Sequence, residues 1–404
     1  MFNTQALLAA FQHRNYRLYW AGFSLSLIGT WMQTLAMGWM VWRMTGSPFW
    51  LGVIGAMPQL PSLLLGSIGG AIVDRTVKRR LLIITQSGMA VCALVLGIIT
   101  YMGVVRLSDI IIIAVVSGVF AAIDAPARLA FVTDLVGKED LGNAVALNAT
   151  MFNAARLIGP AIAGFLVPVI GEGGCFLVNA VSYLALIYGL VRMRNLPKPA
   201  PAGTEPLLLQ LREAYRFVKA SPIHSALILN VIFFAGLAFS YTTLMPVFAD
   251  KILEHGVRGL GALMGAVGIG AFIGGVWQAA QPRDAKRGYM VIIGAFGLTI
   301  GLLIFSLSKS FIFSLAILPL VGISGIAMLA STNTLLQTLS PDHLRGRVLG
   351  FYTTAFLGII PIGSFLIGSF AEQTSAPLTQ ALASVICLVV ASVTLLRNDR
   401  LKAV

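Results

Sequence analysis

Charge is scarce in this chain. Only 11% of its 404 residues are Asp, Glu, Lys or Arg, against roughly 25% in a soluble domain, too few to clothe a water-facing surface. Acid is scarcer than base, 15 residues against 28. The cations lie in short loops between apolar runs and do not alternate with exposed aromatics, which argues for membrane topology and against a nucleic-acid surface. Cysteine is limited to Cys92, Cys175 and Cys387, an odd and widely separated set that gives neither a disulfide framework nor CxxC metal spacing. Each reads as a small buried apolar residue. His13, His224, His255 and His343 stand in loops or at the ends of apolar runs. Neither HExxH nor an acidic cluster accompanies them, so no metal site, cofactor or intramembrane enzyme is expected. No GxxxxGK[ST] occurs and no loop is long enough for an ATPase, which argues against a primary pump. A ring-forming filter sequence and a continuous polar stripe are also lacking, so a channel is not implied. The N-terminal residues lack the positive, apolar and small-residue order of a cleavable signal.

What the chain has instead is hydrophobic length, with 57% hydrophobic residues and a mean hydropathy of +0.88. Apolar runs fall near 18–42, 49–73, 81–103, 109–133, 143–169, 173–192, 223–249, 259–280, 289–308, 311–336, 348–370 and 377–396. Each is about long enough to cross a bilayer as a helix, so twelve spans and an all-α membrane fold are expected. An even number of spans puts both termini on one side. Of the cations, 21 lie on that side and only five, Arg43, Arg106, Lys251, Arg258 and Lys309, on the other. By the positive-inside rule both termini face the cytoplasm, and the protein is expected in a plasma membrane, as a multi-pass protein of a bacterial inner membrane. One long connection, 193–222, separates a bundle at 1–192 from a bundle at 223–404. Its Pro-rich part, 197–201, reads as an extended spacer, and 207–217 as a short amphipathic helix on the membrane surface.

The halves repeat. A shift of about 204 positions sets Gly70 on Gly274 and Gly118 on Gly322, brings 135–145 close to 339–348, and is followed by a proline in the fifth span of each half, Pro160 and Pro361. Two parallel six-span repeats are a transporter architecture. Between spans 2 and 3 stands Gly70-x-x-x-Asp74-Arg75-x-x-Lys78-Arg79-Arg80, which resembles motif A of the major facilitator superfamily. The resemblance implies the major facilitator fold, twelve helices in two six-helix pseudo-repeats working as a monomer. It further implies that Asp74 caps the start of span 11 and that Lys78 pairs with Asp134 at the cytoplasmic end of span 4. Both contacts would hold the outward-facing state closed on the cytoplasmic side. Val77 replaces the glycine usual in this loop, and the equivalent stretch 274–283 has lost the acid, so the latch reads as one-sided.

In span 5, Gly159-Pro160 with Gly164 resembles a partial motif C, the signature of the superfamily's antiporters. It tilts the reading toward export, with the glycines expected to pack across the interface of the two halves. Span 4 lacks the Arg and Gln of the best-known drug/proton antiporters; Ala114 and Ser117 stand in their places. The run 118–136, with Thr45-Gly46-Ser47 and 217–222, resembles the exporter branch that contains the enterobactin exporter and the macrolide efflux proteins. What this implies is a secondary active transporter that moves an amphipathic small molecule, a siderophore or drug, by alternating access in exchange for protons or sodium. Macrolide-type efflux, and lysophospholipid movement without proton coupling, are the alternatives.

Three ionisable residues fall inside spans: Asp124, Arg128 and Arg156. Such groups are costly in a membrane and therefore mark function. Asp124 and Arg128 share a helix face four residues apart, with Pro126 expected to distort the turn between them. Either arginine could neutralise Asp124, as a permanent structural pair or as a site that exchanges a proton or cation. In the superfamily spans 1, 4, 7 and 10 line the cavity, which makes Trp31, Gln33, Trp39, Asn230, Phe234, Tyr241 and Asn333 the candidates for substrate contact.

Overall fold

The computed structural model describes residues 9–137, 139–194, 207–282, 285–396, 398 and 401, without the side chains of 66–71, 74, 207–212 and 214. Among these residues every regular element is helical. Ten helices are long and apolar enough to cross a membrane, and two observations bring the number of crossings to twelve. The helix Leu141–Arg192 has 52 residues, about 78 Å at 1.5 Å per residue and far longer than a bilayer core. It is interrupted at Gly171, whose φ of 73° and ψ of 172° suit a residue without a Cβ. Spans 5 and 6 therefore flank Gly171. The twelfth crossing is span 1, Arg14–Thr45, whose 32 residues suffice although Ser, Thr, Gln and Arg dilute its hydropathy.

The remaining spans follow in order. Span 2 is Pro48–Ala56 continued by Leu60–Arg75; span 3 is Lys78–Tyr101 and span 4 is Leu107–Val136. Span 7 runs through Pro222–Phe233 and Tyr241–Val247, with π-helical turns at Phe234–Ala238 and Phe248–Ile252. Spans 8 to 11 are Gly256–Ala279, Arg287–Leu307, Phe311–Leu339 and Asp342–Gln373, and span 12 is Ala376–Ala391 with a π turn at Ser392–Leu396.

The chain forms two compact units, Met1–Met40 with Met57–Gly203, and Val41–Ala56 with Thr204–Val404. Within the first, span 4 packs on spans 2 and 3, and span 6 on span 3; within the second, span 10 packs on spans 8 and 9, and span 12 on span 9. The repeat read from sequence is thus a repeat of contacts. Its glycines sit at matching crossings: a Cβ on Gly118 would lie 3.1 Å from Pro61 Cγ of span 2, and one on Gly322 would lie 2.6 Å from Ala271 N of span 8. Small residues at such crossings let backbones touch.

In the second unit the helix Pro48–Ala56 starts on a carboxylate. Glu372 accepts from Ser47 Oγ at 2.7 Å and from Phe49 N at 3.2 Å, satisfying orphan donors of a helix N-terminus. Trp42 Nε1 donates to Asp250 at 2.9 Å, and Lys251 lies 4.9 Å from the centre of the Trp42 ring. The linker helix Leu207–Ala220, expected on the membrane surface, is fastened to span 11: Arg347 donates to Glu213 and the Tyr215 ring meets Phe351 edge-on at 6.3 Å. The spacer expected at 197–201 lies outside the described residues.

Candidate functional site

Three adjacent polar residues, Thr85, Gln86 and Ser87, interrupt the apolar run of span 3, and Thr85 and Gln86 are each 1% exposed. Facing them on span 4 is Asp124, also 1% exposed. Its Oδ1 accepts from Thr85 Oγ1 at 2.8 Å and from Gln86 Nε2 at 2.9 Å. Its Oδ2 lies 2.8 Å from Arg128 Nε. Span 4 continues as helix through Pro126, so the pair four residues apart closes in spite of the proline. The carboxylate therefore has three donors from two helices, the arrangement that makes a buried anion tolerable in a medium of low dielectric.

The two ends of this ion pair differ in access. The side chain of Asp124 is 2% exposed and that of Arg128 28%. The Arg128 guanidinium stands 5.0 Å over the Phe23 ring of span 1, which stacks on Tyr19 at 5.5 Å; Tyr19 in turn meets Phe131 of span 4 edge-on. An aromatic face holds a desolvated cation, so Arg128 has a second support that does not depend on Asp124. A proton on Asp124 would cancel its charge and leave Arg128 the exposed cation of the site.

Sequence left both Arg128 and Arg156 as partners for Asp124. The structure pairs Arg128, one turn away on the same helix, and sets Arg156 5.8 Å over the ring of Trp31. Gly159 does not act where the sequence expectation put it. A Cβ there would lie 2.8 Å from the Ile28 carbonyl oxygen of span 1, so this glycine brings spans 5 and 1 together within the first unit. Pro160 and Gly164 are buried on the same helix. A polar ladder joins spans 1 and 6: Asn179 Nδ2 donates to Gln33 at 2.6 Å, Ser182 donates to Asn179 Oδ1 at 3.0 Å, and the Tyr183 and Thr30 hydroxyls lie 3.3 Å apart.

At the linker-side end of the first unit Lys78 Nζ is 2.8 and 3.0 Å from the two oxygens of Asp134. Arg79 donates to the Val191 carbonyl at 2.7 Å, and Arg75 is exposed. Val77 adopts extended backbone, φ −72° and ψ 104°, which any residue reaches, so the missing glycine costs nothing here. The side chain of Asp74, expected to cap span 11, and Gly70 four residues earlier lie outside the described side chains.

Of the residues expected to touch substrate, Trp31, Gln33, Trp39 and Asn333 are half-buried, and Asn333 accepts from Gln337. Asn230, Phe234 and Tyr241 are buried in the second unit. Asn230 Nδ2 donates to the Ala226 carbonyl, at 2.8 Å, and to Thr394 of span 12, while its buried Oδ1 has no hydrogen-bond partner among the described residues. Sequence reading passed over Thr85, Gln86, Asn179 and Tyr183 because it followed charged residues; the polar triplet Thr85-Gln86-Ser87 within the apolar run was the available signal. Among the described residues no group of three His, Cys, Asp or Glu is placed to hold a metal.

A sequence model described as transmembrane secretion effector matches residues 5–404. The staphyloferrin A transporter of Staphylococcus aureus is 26% identical over 405 residues, covering 96% of this chain and 97% of that protein. The enterobactin exporter EntS of Shigella flexneri is 24% identical over 385 residues, covering 95% and 91%. Among solved structures, a bacterial homolog of the human lysosomal transporter Spinster, in an inward-facing and occupied conformation, superposes with a TM-score of 0.73 at 14% identity over 96% of this chain and 97% of that one. That likeness establishes the fold.

Proposed function

The chain belongs to the transmembrane secretion effector family, and from that premise we propose that it exports an amphipathic small molecule, a siderophore in the first place, by alternating access in exchange for protons. The observation that carries this reading is the sealed carboxylate of Asp124, held by Thr85, Gln86 and the partly exposed Arg128. Protonation of Asp124 removes the charge that Arg128 pairs with. Arg128 keeps its seat over Phe23 and becomes available to an acidic group of the cargo. Departure of the cargo gives Arg128 back to Asp124, whose proton then leaves, and the pair is restored. A ligand moves such an equilibrium only as far as it discriminates between the two states, and the exchange of one Arg128 partner for another supplies that discrimination. Two relatives named for staphyloferrin A and enterobactin support a siderophore as cargo. Both termini face the cytoplasm of a bacterial inner membrane in this reading, and Lys78 with Asp134 fixes the turn at 76–77 that follows the helix end bearing Asp74.

Proteoliposomes with an imposed pH gradient test it. Siderophores, macrolides and lysophospholipids are offered in turn while lumenal acidification is followed, for wild type and Asp124→Asn. Cargo-dependent proton movement with a siderophore, lost in the variant while cargo-for-cargo exchange persists, is the expected result. Transport of a siderophore without any ion dependence, or coupling unchanged in the variant, overturns the antiport mechanism. Movement of a macrolide or a lysophospholipid alone overturns the choice of cargo.

A further inference from the structure

Away from the ion pair, on an exposed face of the first unit, spans 1 and 6 touch backbone to backbone. A Cβ on Gly22 would lie 2.6 Å from Leu186 Cα, and one on Gly189 would lie 2.7 Å from the Leu18 carbonyl oxygen. The contact leaves an open groove of about 500 Å³ above it, walled by Leu18, Ala21, Leu25 and Tyr188, with Arg14 and Arg17 at one end. Leu25 is 57% exposed and Tyr188 62%, so these walls are open to their surroundings.

The charged end is built, not scattered. Arg14 is the first residue of span 1 and Arg17 lies one turn on, both exposed. Asn15 between them donates to the Arg194 carbonyl at 2.7 Å, which pins the start of span 1 to the end of span 6. Arg192 lies 5.7 Å from the centre of the Tyr188 ring on the same rim. Cations at a helix N-terminus add to the positive end of the helix dipole and call for an anion. Asp140, on the next span, is engaged by His13 at 2.8 Å. From Arg14 to Leu25 the groove follows about 16 Å of helix, roughly the acyl depth of one leaflet of a bilayer core about 30 Å thick.

A furrow with apolar walls along one leaflet and guanidinium groups at headgroup depth fits one class of molecule. We infer that the groove between spans 1 and 6 seats an anionic phospholipid, its phosphate at Arg14 and Arg17 and an acyl chain along Leu18, Gly22 and Leu25. Basic pockets between membrane helices bind such headgroups. The lipid would fill a surface that the helices cannot close themselves, because the glycines that let the backbones touch leave no side chains to cover the seam.

Purified full-length protein in detergent is titrated with dioleoylphosphatidylglycerol, dioleoylphosphatidylcholine or glycerol 3-phosphate while its unfolding temperature is read. Phosphatidylglycerol is expected to raise it at about tenfold lower concentration than phosphatidylcholine, and glycerol 3-phosphate to leave it unchanged. The double variant Arg14→Gln/Arg17→Gln loses that preference, and so does Ala21→Phe, which fills the groove and leaves its charges in place. Arg75→Gln/Arg80→Gln, which removes two exposed cations elsewhere, keeps it. Equal responses to the two lipids, a response to glycerol 3-phosphate, or an equal loss in Arg75→Gln/Arg80→Gln would overturn the proposal and assign the effect to unspecific surface charge.

Discussion

The two halves share their packing but not their charge. In the first, the membrane interior holds Asp124 with Arg128, and Lys78 meets Asp134 at the linker side. The positions about 204 residues on from Asp124, Arg128 and Asp134 are Met328, Thr332 and Thr338, and the one matching Asp74 is Gln278. The second half answers with neutral groups. Gln278 donates to the Ala327 carbonyl at 3.0 Å and to Ser331 Oγ at 2.7 Å, and accepts from Arg287 at 2.8 Å. Buried Asn230 and Gln380 have short-range partners on their own and neighbouring helices. A duplicated fold therefore keeps the glycine crossings that set helix distances in both copies, while the charges at these matching positions stay in one. Packing must be repeated to close each bundle, whereas the pair of Asp124 and Arg128 is not part of what closes the second.

The largest break in this comparison is expected from Arg128→Met. It leaves the Asp124 carboxylate buried without its cation, and removing one partner of a buried pair costs about 3–5 kcal/mol. Asp124→Asn strands only the better-exposed arginine and should cost less, and the double variant should recover most of the loss; thermal unfolding in detergent reads all three. If the two single variants cost the same, the difference in access between the ends of the pair has no energetic meaning.

Next come Gly118→Val and Gly322→Val, one in each half. Each forces a side chain into a helix crossing, where overpacking costs about 1–3 kcal/mol or more. Similar losses of folded protein on size-exclusion chromatography would show that the packing repeat is energetically a repeat as well. A silent variant in one half alone would break it.

Gln278→Leu leaves Arg287 without its acceptor and should cost about 1–3 kcal/mol, insensitive to salt. Gln278→Glu puts an acid where the first half has one and keeps an acceptor for Arg287, but its carboxylate cannot donate to the Ala327 carbonyl, so it should be destabilising as well. The smallest effect is expected from Lys78→Ala, since a partly exposed ion pair contributes about 1 kcal/mol or less. That loss should shrink further as salt rises, and the charge exchange Lys78→Asp/Asp134→Lys should restore it. Unfolding measured at low and high salt separates the ionic latch of one half from the amide latch of the other.

Hydropathy made the spans legible because a bilayer demands a fixed length of apolar helix, and the charge pairing of Asp124 was visible in the spacing to Arg128. Other features were not. Thr85 and Gln86 carry no charge and fall in a run that reads as plain membrane helix, so only the three-dimensional approach of spans 3 and 4 shows that they hold the carboxylate. Asn230, Phe234 and Tyr241 sit on a span expected to line a cavity, and all three are buried, which span assignment alone does not reveal. Gly159 reads the same in sequence whether it packs within a bundle or between bundles. The choice between Arg128 and Arg156 depended on rotamers, with Trp31 taking the second.

Gly171 bears on how the protein is made. Helix flanks this residue on both sides from Leu141 to Arg192, leaving almost no chain between spans 5 and 6. With no loop between them, spans 5 and 6 are expected to enter a membrane as one helical hairpin, so that Arg156, unfavourable in lipid on its own, shares its insertion with the apolar mass of span 6.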